Sequence, residues 1–125
     1  MPFTIKLDSS TSVIFSTFTG EVDENDFRSA VAKVASEPGF NPSFSHVIDF
    51  TGVTAAKLST EFLGSFGEQR PPLFTHNARQ IVVAPQDFIF GLARMVQMRC
   101  EGQLNIEVVR SLNKAYEFLR IERAS

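Results

Sequence analysis

The alternation of short apolar runs with helical patterns constrains the fold of this chain more than any other feature. Five runs have the length and the β-branched or aromatic content of strands: Phe3–Leu7, Ser12–Gly20, His46–Phe50, Arg79–Ala84 and Asn105–Arg110. A helical segment follows each run except the first. The pattern therefore predicts the order β-β-α-β-α-β-α-β-α, and strands that alternate with helices favour a parallel sheet with right-handed crossovers.

The chain opens with a predicted hairpin. "FTIKL" alternates apolar and polar residues, "DSST" (Asp8–Thr11) has the composition of a turn, and "SVIFSTFTG" reads as the second strand. Two such runs on either side of a short polar turn favour antiparallel pairing. The predicted fold class is thus α/β, with a mixed sheet of about five strands, an antiparallel N-terminal hairpin, otherwise parallel strands, and about four helices.

Capping residues and helix breakers set the expected ends of the helices. Three residues have the type and position of N-caps: Asp23, Ser59 and Ser111. The third helix is the longest, and we expect it to open at Pro85 or Gln86 and to close at Gly102. Its apolar residues extend around most of its circumference, which is typical of a helix that is deeply buried or lies at an interface.

Length and composition exclude several classes of protein. The 125 residues predict one domain over 1–125 with a single core. The net charge of -2 provides no electrostatic footprint for nucleic acid, and no apolar run is long enough for a membrane span. The N-terminus lacks the features of a signal peptide, and the single Cys100 cannot form an intrachain disulfide, so the cytoplasm is the expected location.

No combination of residues predicts catalysis. The sequence contains no Gly-rich phosphate loop, no Gly-x-Ser-x-Gly motif and no His-Glu-x-x-His motif. His46 and His76 have no neighbour at metal-ligand spacing, so we expect no metal site. We interpret Cys100 as a small buried apolar residue. The expectation is a protein that is not an enzyme and that has no cofactor.

A candidate site follows from the topology, because open α/β sheets bind ligands beyond the carboxyl ends of their parallel strands. Asp49, Thr51 and Gly52 lie in the predicted connection after the third strand, and Asp87 follows the fourth. Arg94, on the long helix, could receive an anionic ligand head near the helix N-termini, or it could pair with Asp87 or Asp49. Structural roles are the alternative for each: a carboxylate that accepts from loop amides at Asp49, a permissive backbone position at Gly52, and an ion pair for Arg94.

The element order, "VIDFTGV" after the third strand and "VVAPQDFIFGLARMVQ" resemble the STAS-like domains, and within them the SpoIIAA-like group of small stand-alone bacterial proteins. The resemblance covers essentially the whole chain. In antagonist members of that family, a hydroxyl residue in a motif close to Asp-Ser-Ser-Gly is phosphorylated. The segment Asp49-Phe50-Thr51-Gly52 matches at its Asp and its Gly, whereas Phe50 stands where a hydroxyl is expected. Thr51, and Ser59 at the next helix cap, are therefore the candidate phosphoacceptors.

Two functions from different classes remain open. The first is a non-catalytic STAS-like binding or regulatory module that acts through contacts with a protein partner. The alternative is a carrier of a small apolar or lipid-like ligand, held in a pocket between the sheet and the long helix, which the 13 Phe residues favour. The loop Gly67–Asn77, with Leu73 and Phe74, is expected to cover that pocket. A homodimer formed through Leu73–Phe74 or through the Phe88–Phe90 region is a further prediction.

Overall fold

One mixed sheet carries the helices of this protein. The computed structural model describes residues 2–65, 73–75, 77–102 and 104–120. Within these ranges the strands are β1 (Phe3–Asp8), β2 (Val13–Asp23), β3 (Ser45–Lys57), β4 (Arg79–Val83) and β5 (Asn105–Val109). The helices are α1 (Glu24–Ser36), α2 (Thr60–Gly64), α3 (Asp87–Arg99) and α4 (Leu112–Leu119). The predicted order of elements is confirmed.

The strands lie side by side in the order in which they occur along the chain. β1 pairs with β2 in antiparallel orientation, and every later pairing is parallel, which confirms the predicted mixed sheet. Each parallel crossover moves one strand further in the same direction. Because such crossovers are right-handed, α1, α2 and α3 lie on one face of the sheet. α4 follows the last strand and packs against β3, β4 and β5 from the other face.

Successive side chains along each central strand point to opposite faces of the sheet. On β4, Gln80 and Val82 point towards α1–α3, whereas Ile81 and Val83 contribute to the apolar cluster with α4. All four side chains are buried. A strand that is covered on both faces reads as a nearly continuous apolar run, which explains why this short segment was recognisable as a strand.

Each predicted N-cap residue lies directly before the first residue of its helix. Asp23 Oδ1 accepts from the Asp26 backbone N–H at 2.9 Å, and Asp26 Oδ2 accepts from the Asp23 N–H at 3.0 Å, which completes a capping box. Ser59 and Ser111 each accept from the backbone N–H three residues later. α3 begins at Asp87 without a side-chain cap, since Gln86 bonds elsewhere. No helix in the described ranges combines the length and apolar character that a bilayer crossing requires.

β3 is the element in which sequence and structure differ most. The sequence predicted a strand that ends at Phe50 and then a connection, but β3 continues to Lys57. The reason is that β2 runs to Asp23 and pairs with β3 along this extra length. Two register shifts each place an additional residue in β3, and such bulges let the strand bend without losing its partner. The prediction that residues 51–57 form a connection, and that all strands are short, was therefore wrong.

Candidate functional site

Asp49 and Thr51 lie at the first bulge of β3 rather than in a loop. The Thr51 backbone N–H and its Oγ1 both donate to Asp49 Oδ1, at 2.9 and 2.6 Å. Gly52 follows at a close approach of two strands, because a Cβ at this position would lie 3.0 Å from Thr19 Cγ2. The carboxylate of Asp49 thus accepts from local groups, which is the structural role that the sequence left open for it.

Asp87 and Arg94 are not brought together. Asp87 Oδ1 accepts from Arg110 Nη1 at 2.7 Å, whereas Arg94 donates to Gln97 on its own helix at 2.9 Å. The predicted pairing of Arg94 with Asp87 or Asp49 is therefore wrong. Arg110 takes that position because β5 ends beside β4, next to the start of α3, and its guanidinium also covers the Phe90 ring at 3.8 Å. The Asp87 side chain is 95% exposed, so this ion pair contributes little to stability.

Gln86 joins the start of α3 to β3, a role that was not evident from the sequence. Its Nε2 donates to the carbonyl oxygens of Phe50 and Val53, each at 2.8 Å. Its Oε1 is buried and has no hydrogen-bond partner among the residues that the structure describes. Of the five candidate residues, Asp49, Thr51 and Gly52 surround this contact, Asp87 is its neighbour along the chain, and Arg94 points away along α3.

The two candidate phosphoacceptors are both exposed at the surface. Thr51 Oγ1 donates to Asp49, and Ser59 Oγ accepts from the Phe62 N–H at 3.0 Å and donates to Glu24 at 3.4 Å. A phosphate on either hydroxyl would stand beside a carboxylate, and like charges at that distance repel. Phosphorylation stays a prediction for both residues.

An apolar cavity of about 120 Å³ lies between the sheet and α1–α3. The sheet contributes Phe18, Ile48 and Val82, and the helices contribute Ala30, Leu63 and Ala93. It lies where the alternative function requires a pocket, between the sheet and α3. The prediction that this helix is the longest was wrong, because α1 and α3 have 13 residues each.

Two residues of the predicted covering loop reach the cavity. Leu73 and Phe74 line it, while residues 66–72 and 76 of that loop region lie outside the described residues. Phe74 is buried, with its ring 5.6 Å from that of Phe40 and 5.0 Å from that of His46, centroid to centroid. The ring of Phe74 therefore lies among the residues that line the cavity and is not exposed to solvent.

Three buried polar side chains interrupt the apolar lining: Ser16, His46 and Gln80. We name them the polar wall. Ser16 Oγ and His46 Nε2 are 2.6 Å apart and share a hydrogen bond, and His46 lies opposite Gln80 in the register of β3 and β4. His46 Nδ1 is buried and finds no hydrogen-bond partner within the described part of the chain. Burial lowers the pKa of His46 to about 3, so the imidazole is neutral at neutral pH.

Sequence reasoning missed the polar wall. It considered His46 only as a metal ligand and did not consider Ser16 or Gln80. The available signal was periodicity, since each of these residues occupies the same face as apolar neighbours two positions away, such as Phe18, Ile48 and Val82. A polar residue on the buried face of a strand is more informative than an exposed apolar one.

The described residues offer few other groups that could bind a metal ion or react. They contain no group of three His, Cys, Asp or Glu side chains that would hold a metal ion. Cys100 is buried and its Sγ lies 3.9 Å from the Gly64 carbonyl oxygen, which confirms its interpretation as a buried small residue. The first bulge of β3, with Asp49, Thr51 and Gly52, and the cavity are therefore the two candidate sites.

Comparison with known proteins bears on the fold. No family model and no curated protein matches the sequence. Among solved structures, the chain is similar to an uncharacterized protein of the DUF3478 family with a SpoIIAA-like fold, from Shewanella loihica PV-4. The TM-score is 0.60 and the identity 12%, over 94% of this chain and 91% of that one. The mixed sheet, the four helices and this similarity together show that the chain has the SpoIIAA-like fold that its sequence resembles.

Proposed function

We propose that this protein is a non-catalytic binding module whose central cavity holds a small apolar ligand, as in a carrier or a sensor. The cavity of about 120 Å³ is the observation that carries this proposal. Protein interiors are otherwise packed at the density of organic crystals, and a space of this size leaves its lining without contacts on one side. A ligand restores those contacts.

The volume limits the ligand to a single ring or a short chain. A cavity of roughly 150 Å³ with a lining of Leu, Ile and Phe holds benzene. The long acyl chain of a membrane lipid exceeds the space between the sheet and α1–α3. Within the broader class of apolar or lipid-like ligands, the geometry therefore favours molecules of about the size of toluene.

Titration with toluene tests the proposal. We expect the methyl NMR signals of Ile48, Val82 and Leu63 to shift saturably, and the melting temperature to rise with toluene concentration because the ligand binds only the folded state. The variant Ala93→Leu, which fills the cavity from α3, should abolish both effects. Arg94→Ala, on the exposed side of the same helix, is the control and should retain them. Unchanged cavity methyl signals at saturating toluene would exclude this function.

A second candidate function is binding of a second copy of this chain through the outer face of α3. Phe88, Met95 and Met98 are 54%, 58% and 66% exposed and follow the spacing of one helical face. Large apolar side chains grouped in this way favour an interface. Light scattering at micromolar concentration should give the mass of a dimer, and Met95→Lys should give that of a monomer. A wild-type monomer under these conditions would rule the dimer out.

A further inference from the structure

We propose that the ligand of the cavity carries one uncharged carbonyl group, and that His46 Nδ1–H donates a hydrogen bond to its oxygen. This inference rests on the proposed function, and it adds the chemical class of the ligand. The observations behind it are that His46 lines the cavity, that its side chain is only 7% exposed, and that its ring nitrogen Nδ1 is buried without a described partner.

The hydrogen bond between Ser16 and His46 decides which proton the ring carries. A neutral imidazole has one N–H and one bare nitrogen. If Ser16 Oγ–H donates to Nε2, the proton lies on Nδ1, and Nδ1–H is the single unsatisfied group. If Ser16 accepts from Nε2–H, both its own hydroxyl proton and the Nδ1 lone pair are left over, since Ser16 Oγ has no second partner in the described ranges. The first arrangement leaves fewer buried groups unpaired.

The ligand therefore supplies an acceptor to Nδ1–H. Gln80 lies opposite His46 in the sheet and lines the same cavity, so its carboxamide is a second hydrogen-bond donor available to such a ligand. A carbonyl oxygen has two lone pairs and accepts two such hydrogen bonds. The polar wall would then orient one end of a ligand whose remaining surface contacts Phe18, Ile48 and Val82.

Charge distinguishes a carbonyl from a carboxylate. None of the described residues that line the cavity is an Asp, Glu, Lys or Arg, and burial keeps the pKa of His46 well below its ordinary value. A carboxylate would thus enter an apolar space without a counter-charge, at a high desolvation cost. A ketone, ester or amide oxygen accepts the same hydrogen bonds without that cost.

Two ligands of the same shape test the inference. Cyclohexanone offers the carbonyl oxygen, and methylenecyclohexane replaces that oxygen with a methylene group. In NMR titrations we expect His46→Phe to weaken cyclohexanone binding by about tenfold and to change methylenecyclohexane binding by less than about twofold. The ¹⁵N spectrum of the wild-type protein should show a protonated Nδ1 whose signal shifts with cyclohexanone and not with methylenecyclohexane.

The outcomes separate this inference from the proposed function. If both ligands bind the wild type and His46→Phe alters neither affinity, the role of His46 is overturned and the apolar cavity remains a binding site. If neither ligand binds the wild type, this inference is overturned, and the toluene titration alone decides the proposed function. Should His46→Phe not fold, the ¹⁵N measurement decides, and a bare Nδ1 in the wild type overturns the inference.

Discussion

The two faces of the sheet are built from alternate residues of the same strands, yet they are packed differently. On the face covered by α4, Val13, Val47, Ile81, Val83 and Ala115 are each at most 2% exposed and form one cluster. On the opposite face, α1, α2 and α3 together cover the sheet, and a cavity of about 120 Å³ remains between them and the sheet. One helix can follow the surface of a sheet closely. Three helices must also pack against one another, and α2 has only 5 residues with which to fill the gap.

This difference indicates that the space for a ligand arises from topology as much as from side-chain choice. Crossovers that all move in one direction accumulate their helices on one face. The polar wall lies on the face that contains the cavity. The face covered by α4, which we name the closed face, has only apolar residues in its buried cluster. Substitutions in matched pairs, one on each face, can test whether the two faces differ energetically.

The largest effect is expected from a pair of valines on β4. Val83→Ala on the closed face should destabilise the protein by about 2–3 kcal/mol, because it removes buried methyl groups and leaves a new void. Val82→Ala, which faces the existing cavity, should cost about half as much because that side chain already lacks contacts on one side. Urea denaturation of both variants measures the difference. Equal losses would show that the cavity face is packed as tightly as the other.

A pair of helix alanines gives the next largest effect. Ala115→Leu on α4 should overpack the closed face and destabilise the protein by about 2 kcal/mol. Ala93→Leu on α3 should be neutral or stabilise it by up to about 1 kcal/mol, since the longer side chain enters the cavity. Thermal unfolding monitored by circular dichroism compares the two. A comparable destabilisation by Ala93→Leu would contradict an open space beside α3.

The polar wall should make the cavity face sensitive to pH. Burial lowers the pKa of His46 from 6.5 to about 3, so between these values the unfolded chain binds a proton that the folded chain does not. Stability therefore falls as the pH decreases through this window. The wild type should lose about 1.4 kcal/mol more per pH unit than His46→Phe, because the contributions of the carboxylates are common to both proteins. Parallel pH profiles in urea denaturation would refute this.

The smallest difference is expected at two capping serines. Ser111→Ala should cost about 1 kcal/mol, because Ser111 begins α4, whose apolar side covers the closed face. Ser59→Ala should cost less, about 0.5 kcal/mol, because α2 is a helix of 5 residues and covers little of its face. Chemical denaturation again measures both. A larger loss for Ser59→Ala would show that α2 matters more to the cavity face than its length suggests.

The topology was predictable because strong local signals agree with one another. The Asp23 cap, the apolar runs of β3 and β4 and the turn after β1 are each decided by a few neighbouring residues. The length of β3 was not predictable, because the pairing of residues 51–57 depends on β2, far away in sequence. The partner of Asp87 was missed for the same reason: Arg110 is 23 residues away and becomes its neighbour only through the β4–β5 pairing.

The candidate site was predicted in part. The general position of an apolar pocket followed from the excess of apolar residues on the long helix, but its polar wall comes from three different strands. The cytoplasmic location, the absence of catalysis and the homodimer stay predictions. The light-scattering measurement proposed for α3 addresses the last of these directly.

The side chain of Gln86 has a consequence for the behaviour of the protein at high concentration. Among the residues that the structure describes, β4 pairs with β3 over His46–Asp49, and beyond this point no described strand lies beside that edge of β3. An uncovered strand edge is a template on which a strand of another molecule can add. The Gln86 amide already occupies the carbonyl oxygens of Phe50 and Val53. A single side chain thus hinders intermolecular pairing along this part of β3, because a strand from another molecule would have to displace it.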